Sequence, residues 1–281
     1  NTQSITYNYK LGYTKYNNSN FINFTIERFN MEYGIPSKEP DRYPAVDILL
    51  LKDNYQIYTH EEISFLNFNK MDIKYNYIDY VHLEMVKSDK DYDNIYDILD
   101  NRDFHVALAK VTENYKLELS GNNIIYGSEY TIKKFKPDGF YLTPTTNEKQ
   151  FSFYGFNQYR INSLAADFLT SFRVGYLYIK PGEYNFIDGN ANLIAKDENG
   201  NPIEDEEGNK ISLVKNREFY NLSVSFGLKK IINKFEFNSW FMHTMRPPRV
   251  EELYSDGPHL ASYAFEIGNP ELKAEKIYGV E

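Results

Sequence analysis

The side chains with the clearest capacity for site chemistry are imidazoles and carboxylates. His82 and Glu84 stand two residues apart in an alternating run, which puts both on one face of a strand. His105 lies in the next alternating run. His259 lies in a later Gly/Pro-rich segment, with Glu252 and Asp256 near it. Imidazole plus carboxylate is a ligand set for zinc or a similar transition-metal ion. The chain has no Cys, which excludes disulfides, thiolate metal sites and a Cys nucleophile. The plain alternative for these residues is a hydrated polar lining that holds no ligand. Nothing points to catalysis: GxSxG, Walker, HExxH and GxGxxG patterns are all missing, and no paired acid/base constellation stands out. The expectation is a non-enzyme without a resident cofactor. The acidic stretch from Lys196 to Gly208 suggests a calcium loop at first sight. Gly200 follows Asp197 too soon for an EF-hand, so it reads as a solvated loop.

The elements that must position these residues are strands. Aromatic residues make up 17% of the 281 positions, with 26 Tyr and 20 Phe, and these types favour strands. Period-two alternation is clearest at 71–85, 165–179 and 219–228. About eleven strands follow, near 2–14, 20–29, 45–58, 70–86, 102–118, 124–135, 149–160, 165–179, 217–230, 235–245 and 272–281. Turns near 15–19, 120–123, 161–164 and 231–234 are short, and the one near 59–69 is somewhat longer. Long connections near 30–44, 87–101, 136–148, 180–216 and 246–271 alternate with them. That is the layout of an antiparallel up-and-down transmembrane β-barrel, all-β, with every long loop at one end. No stretch is apolar enough for a transmembrane helix.

This layout assigns faces. Ile22, Phe24, Ile26, Val81, Leu83, Phe168, Phe172, Val174, Leu222, Val224 and Phe226 should lie outward. Asp72, Lys74, Asn76, Asp167, Arg173 and Ser223 should lie inward, with His82 and Glu84. With Phe104, Val106 and Leu108 on the lipid side, His105 should also point inward. Tyr43, Tyr55, Tyr58, Tyr176 and Tyr178 should form interfacial girdles. His82, Glu84 and His259 are then candidate metal ligands near the mouth, with His105 as a helper. Net charge is −9 without a basic block, which argues against nucleic acid. Both ends of the chain fall inside alternating runs, so a piece of a larger protein is expected.

Three stretches carry a resemblance: Asn30-Met-Glu-Tyr-Gly-Ile-Pro36, Asp79-Tyr-Val-His-Leu-Glu84, and Met245-Arg-Pro-Pro-Arg-Val-Glu-Glu-Leu-Tyr-Ser-Asp-Gly-Pro-His-Leu-Ala261 continuing to Phe265-Glu-Ile-Gly-Asn-Pro-Glu-Leu-Lys-Ala-Glu275. Gly127 and Phe140 to Pro144 fit more weakly. The last stretch resembles the barrel of TonB-dependent outer-membrane receptors, closest to the zinc-uptake branch. The resemblance implies a 22-stranded barrel closed by an N-terminal plug. Residues 1–281 would be part of that barrel, with the plug and the remaining strands outside them. It further implies location in the outer membrane of a Gram-negative-type bacterium, contact with its lipid, energy from a TonB-type complex through the plug, and import of a scarce metal ion or chelate. One departure is plain. Gly34-Ile-Pro is followed by Ser37-Lys-Glu-Pro-Asp-Arg42 without His, which leaves haem or a siderophore open beside zinc. The alternative function is a structural or carbohydrate-binding β protein at the cell surface.

Overall fold

The computed structural model describes residues 3–36, 45–86, 105–139, 143–182, 192–259 and 264–281. Eleven strands form one antiparallel sheet in which each strand pairs with the one before it in sequence, except that the last, β13, pairs with β10 across a separate two-stranded hairpin. They are β1 (Ser4–Asn17), β2 (Asn20–Ile35), β3 (Val46–Phe65), β4 (Phe68–Val86), β5 (His105–Ser120), β6 (Ile124–Gly139), β7 (Thr146–Ile161), β8 (Ala166–Pro181), β9 (Arg217–Ile232), β10 (Phe235–Arg246) and β13 (Glu275–Val280). Between β10 and β13 lie a one-turn helix, α1 (Val250–Tyr254), and a small hairpin of β11 (Asp256–His259) and β12 (Ala264–Ile267). The meander and the near absence of helix match the expectation.

Most main-sheet strands run 14 to 20 residues, well beyond the usual five or six. Short turns join them at one end. Asn18 and Asn233 take positive φ of 57° and 56° in two of these turns, a backbone state Asn tolerates well. The connection expected near 59–69 is tighter than the sequence suggests. β3 runs on to Phe65 and β4 starts at Phe68, with Leu66 at φ 51°. The polar run His60-Glu61-Glu62 disguised strand as loop, because those side chains sit at a strand end near water.

The faces follow from the register, since directly paired residues share a face. The inner face is the one that α1 covers. Asp72, Lys74, Asn76, Asp167, Arg173 and Ser223 all lie on it. The outer face is apolar and largely uncovered: Ile22, Phe24, Phe168, Val174, Leu222 and Phe226 are exposed. One outer row runs straight across nine strands as Tyr13, Phe24, Ile57, Tyr75, Tyr115, Tyr130, Phe151, Tyr176 and Tyr220. Its rings touch, with centroids 4.9 Å apart for Tyr75–Tyr115 and 5.2 Å for Tyr176–Tyr220. The accessible surface is 18187 Å². A compact soluble monomer of 33.1 kDa would show about 12,500 Å². A single-layer sheet with two accessible faces accounts for the excess.

Three face expectations need correcting. Tyr58 points inward, not into a girdle; it lies an odd number of residues from Tyr55, and its hydroxyl donates to Asp72 at 2.6 Å. Leu83 has outward parity but is fully buried, packed with Ala107, Leu49 and Met85. His105 also lies on the outer side. It pairs with Met85, whereas Val106 pairs with Glu84 and Leu108 with His82. Sequence parity misled here because both faces are apolar at this end of the sheet. Tyr43 and Phe104 lie outside the described residues.

The core explains that two-sided apolarity. Phe135, Leu177, Ile179 and Phe219, from β6, β8 and β9, pack inward against Leu193, Val250, Leu253 and Tyr254. In α1 the buried positions are Val250, Leu253 and Tyr254, the i, i+3, i+4 stripe of one helix face.

Candidate metal-capture site at the long-loop end

The stretch from Arg246 to Glu275 folds back over the inner face, and its motif residues are mostly the fasteners. Arg246, the last residue of β10, donates to Glu252 at 3.0 and 3.1 Å and to Glu275 at 2.9 Å. Glu252 also accepts the Arg249 backbone N–H at 2.7 Å, which closes the first turn of α1. Its hydrogen bonds to Arg246 and Arg249 hold the Glu252 carboxyl below the usual range. The Tyr254 hydroxyl donates to the Lys215 carbonyl at 2.7 Å, and burial pushes its pKa up to about 12. Asp256 is fully buried and accepts from the Asn192 backbone N–H at 3.1 Å and side-chain amide at 2.6 Å. Gly268 donates to the Ser255 carbonyl at 2.6 Å and lies against the Leu253–Tyr254 backbone, where a Cβ would come within 2.6 Å. Glu252 and Asp256 are therefore structural members of the loop.

With the loop seated, β11 carries His259 over the inner ends of β4 and β5. A cavity of about 290 Å³ opens there, lined by His82, Glu84, Val106, Leu108, Arg249, Glu251, Glu252, His259 and Glu266. Glu84 is 96% buried at its side chain, being only 4% exposed, flanked by Ile48 and Val106 on the adjacent strands. A carboxylate that dry needs a partner. His259 Nε2 stands 3.2 Å from Glu84 Oε1, and His82 Nε2 stands 3.5 Å from the same oxygen. The other ring nitrogen of His259, Nδ1, is 2.7 Å from Glu266 Oε1. His259 pairs with Ala264 and Gly257 with Glu266 across the hairpin, so His259 and Glu266 are diagonal neighbours on one face.

The structure thus brings together His82, Glu84 and His259, and leaves His105 out. His105 is buried on the opposite face, and neither ring nitrogen has a hydrogen-bond partner among the described residues. Glu266 belongs with the three. Sequence reading missed it because its approach to His259 depends on the hairpin register.

The site is acidic. Of its four carboxylates, Glu252 is engaged by Arg246, and Glu251 by Lys110 at 2.6 Å. Burial pushes the Glu251 carboxyl up, but the Lys110 ammonium outweighs it and the net shift is downward. Glu84 and Glu266 share the His259 ring. Carboxylate oxygens only accept, so both His259 contacts are hydrogen bonds only when both ring nitrogens carry protons. His82 Nε2 is buried without a hydrogen-bond partner among the described residues. Among the described residues no three His, Asp or Glu side chains are placed to hold a metal ion together; the convergence is pairwise, through Glu84. The two separations from Glu84 still match tetrahedral edges, about 3.3–3.4 Å when each donor is about 2.0–2.1 Å from a metal.

No known protein family and no curated protein matches this chain. Among solved structures the chain is similar to a copper transporter, OprC. The TM-score is 0.64 at 10% sequence identity, over 99% of this chain and 42% of that one. The likeness shows the fold: the meander is that of a partial antiparallel β-barrel. The chain spans less than half the length of that structure. Among the described residues no helix is long and apolar enough to cross a membrane.

Proposed function

We propose that this chain forms wall and mouth of an outer-membrane uptake receptor whose cargo is a transition-metal ion or a small metal chelate. Glu84, His259 and His82 capture the cargo, the His259 Nε2 proton leaving to solvent, and Glu266 accepts the hydrogen bond from His259 Nδ1 that orients the ring. The work is binding and gating, without covalent chemistry. Passage inward is driven by a TonB-type complex acting on a plug inside the barrel. The observation that carries this reading is the meeting of Glu84 and His259 at 3.2 Å in an acidic cavity at the long-loop end. The two residues lie 175 positions apart, and only folding back of the Arg246–Glu275 loop joins them. The sequence resemblance points toward zinc and the structural likeness is to a copper transporter. Both fit an N,N,O donor set of borderline softness.

The test is titration of the purified protein with zinc and with copper(II), beside metal-limited growth of cells that depend on it. Glu84→Gln and His259→Ala should each weaken binding at least about tenfold, because removing a ligand costs no less than the 10–100-fold seen for its supporting groups. Binding should also weaken at acid pH, since a proton competes for each imidazole. Unchanged binding of both metals in both variants would refute the assignment.

A further inference from the structure

The end of the sheet that carries the short turns is not level. The β3–β4 ladder runs out to Phe65 opposite Phe68, and the β7–β8 ladder runs out to Ile161 opposite Ala166. Between them β5 and β6 stop sooner: the last pairs are Lys70 with Ser120 and Ile124 with Asn157. The β5–β6 turn is therefore the floor of a notch walled by the overhanging ends of β4 and β7. The walls are three strand spacings apart, about 14 Å, so the gap is two strands wide. On the β4 side Gly121 lies against the Asn67 carbonyl and closes the lower part of the wall. On the β7 side the Gln158 N–H donates to the Asn123 carbonyl at 2.8 Å. Arg160, two residues on, turns its own N–H and carbonyl to the same side, and among the described residues no strand stands there.

The notch holds a cavity of about 600 Å³. Six of its eleven lining residues are amides, Asn67, Asn69, Asn122, Asn123, Asn157 and Gln158, and none of the eleven is ionisable. A metal ion or a phosphate finds no counter-charge in such a lining. Each primary amide presents donors and an acceptor in one plane, as a peptide unit does. Turn chemistry does not account for all of them, because Asn69 and Asn157 stand in strands, where Asn is disfavoured. The β3–β4 turn points the same way. Leu66, 83% exposed, takes the left-handed position at φ 51° while Asn67 lines the notch. Asn tolerates that backbone state better than Leu, so this order strains the turn and keeps an amide in the cavity.

We infer that the notch receives an extended, uncharged peptide segment of another protein, which continues the line of β6 beside the Gln158–Ile161 edge of β7. Main-chain hydrogen bonds to that edge hold the segment, and the amides satisfy its remaining peptide groups. A second copy of the chain does not fit the role, because barrels in one bilayer stand side by side and their turn ends do not face each other. The receptor reading enters only through the compartment: the short turns lie at the end opposite the capture cavity, so the partner is a protein of the inner side.

The experiment uses disulfide capture, which the absence of native Cys makes clean. Ser64→Cys places one thiol on the notch lining. The probes are capped hexapeptides with Thr at alternate positions and Ala, Val, Leu, Phe or Tyr between, each ending in Gly-Gly-Cys. Under a fixed excess of mercaptoethanol, Ser64→Cys should capture members of this set at least about tenfold more than the same peptides N-methylated at alternate residues. Each main-chain hydrogen bond is worth about fivefold, and N-methylation removes two or more. Ser19→Cys, in the β1–β2 turn, should capture both forms equally and little. Adding Asn69→Thr and Gln158→Thr to Ser64→Cys should lower capture about fivefold or more, with zinc binding at Glu84 unchanged. Equal capture of the N-methylated peptides, or equal capture by Ser19→Cys, overturns the inference and leaves the receptor reading standing. So does preferential capture of a thiol-bearing chitotetraose, which would make the notch a saccharide site.

Discussion

Most of the charged residues in the Arg246–Glu275 loop hold shape rather than ligand, and Tyr254 shows what that shape depends on. Its ring is fully buried and its hydroxyl satisfies the Lys215 carbonyl. Tyr254→Phe leaves that carbonyl unpaired and should cost about 1 kcal/mol, read as a lower unfolding temperature with the outer strands unaffected. The same group sets an alkaline limit. Burial raises its pKa from 10.0 to about 12, so the folded state prefers the neutral phenol. Its stabilising contribution is complete below pH 10 and is lost as pH rises through about 12. Ultraviolet difference titration against Tyr254→Phe should show one phenol ionising near the upper value. An ordinary phenol in that difference spectrum would mean that the loop does not seat as described.

At the scale of elements, the loop that looked like a calcium site is a pair of repeated turns. Asp197-Glu-Asn-Gly-Asn-Pro-Ile203 and Asp205-Glu-Glu-Gly-Asn-Lys-Ile211 repeat with a period of eight. In each, the Asp carboxylate accepts backbone N–H groups two and four residues on: Asn199 and Asn201 for Asp197, Glu207 and Asn209 for Asp205. Gly200 and Gly208 take φ of 85° and 83°, open to glycine and strained for other residues. Backbone bonds then link Ala195, Ile203 and Ile211 in a closed triangle. The carboxylates are spent on their own turns, which removes the calcium reading. Those bonds hold both Asp carboxyls below the usual range. Turn order should be complete above the ordinary carboxylate value and lost as pH falls through the lowered one. Asp197→Ala with Asp205→Ala should make this segment the first site of limited proteolysis at neutral pH; an unchanged cleavage pattern would contradict it. The second element to test is the contact of Gly268 with α1. Gly268→Ala drives a methyl into the Leu253–Tyr254 backbone and should cost about 1–3 kcal/mol. Because α1 and the β11–β12 hairpin move together, metal binding at Glu84 should fall with it, and an unaffected affinity would separate the loop from the site.

For the whole molecule, the two faces of the sheet make opposite demands. The inner face is laced with polar bonds, such as Arg173 to Glu129 at 2.7 Å, Tyr154 to Glu118 at 2.7 Å and Tyr58 to Asp72 at 2.6 Å. The outer face presents Ile22, Phe24, Ile57, Ile73, Phe151, Phe153, Leu222 and Phe226 uncovered. Such a belt far exceeds the few hundred Å² of contiguous apolar surface that soluble monomers expose. Ile73→Asp with Leu222→Asp should therefore be tolerated poorly in a bilayer, each costing on the order of 2–4 kcal/mol or less depending on depth. Gln56→Glu on the inner face should be nearly neutral. Heat stability in vesicles measures the contrast, and equal effects on the two faces would argue against a lipid-facing belt.

The strand plan was legible in the sequence because each face has one job over most of its length. Alternation with period two follows directly from a sheet that is wet on one side and apolar on the other, so the eleven strands, their order and the inward parity of His82 and Glu84 could all be read. The alternation fails where the inner face is itself dry. At the loop end Ile48, Val106, Leu108 and Ile179 point inward beneath the β11–β12 hairpin and α1, and there the parity of His105 came out reversed. The aromatic row was hidden for another reason: its rings come from eight strands, with Ile57 between them on β3, and line up only through the register. The same holds for the site. His82 and Glu84 are neighbours by strand geometry, which local sequence specifies. That His259 and Glu266 close over them was decided by the tertiary structure alone, because it depends on Arg246 holding two carboxylates, Tyr254 entering the core and Gly268 letting two backbone segments touch.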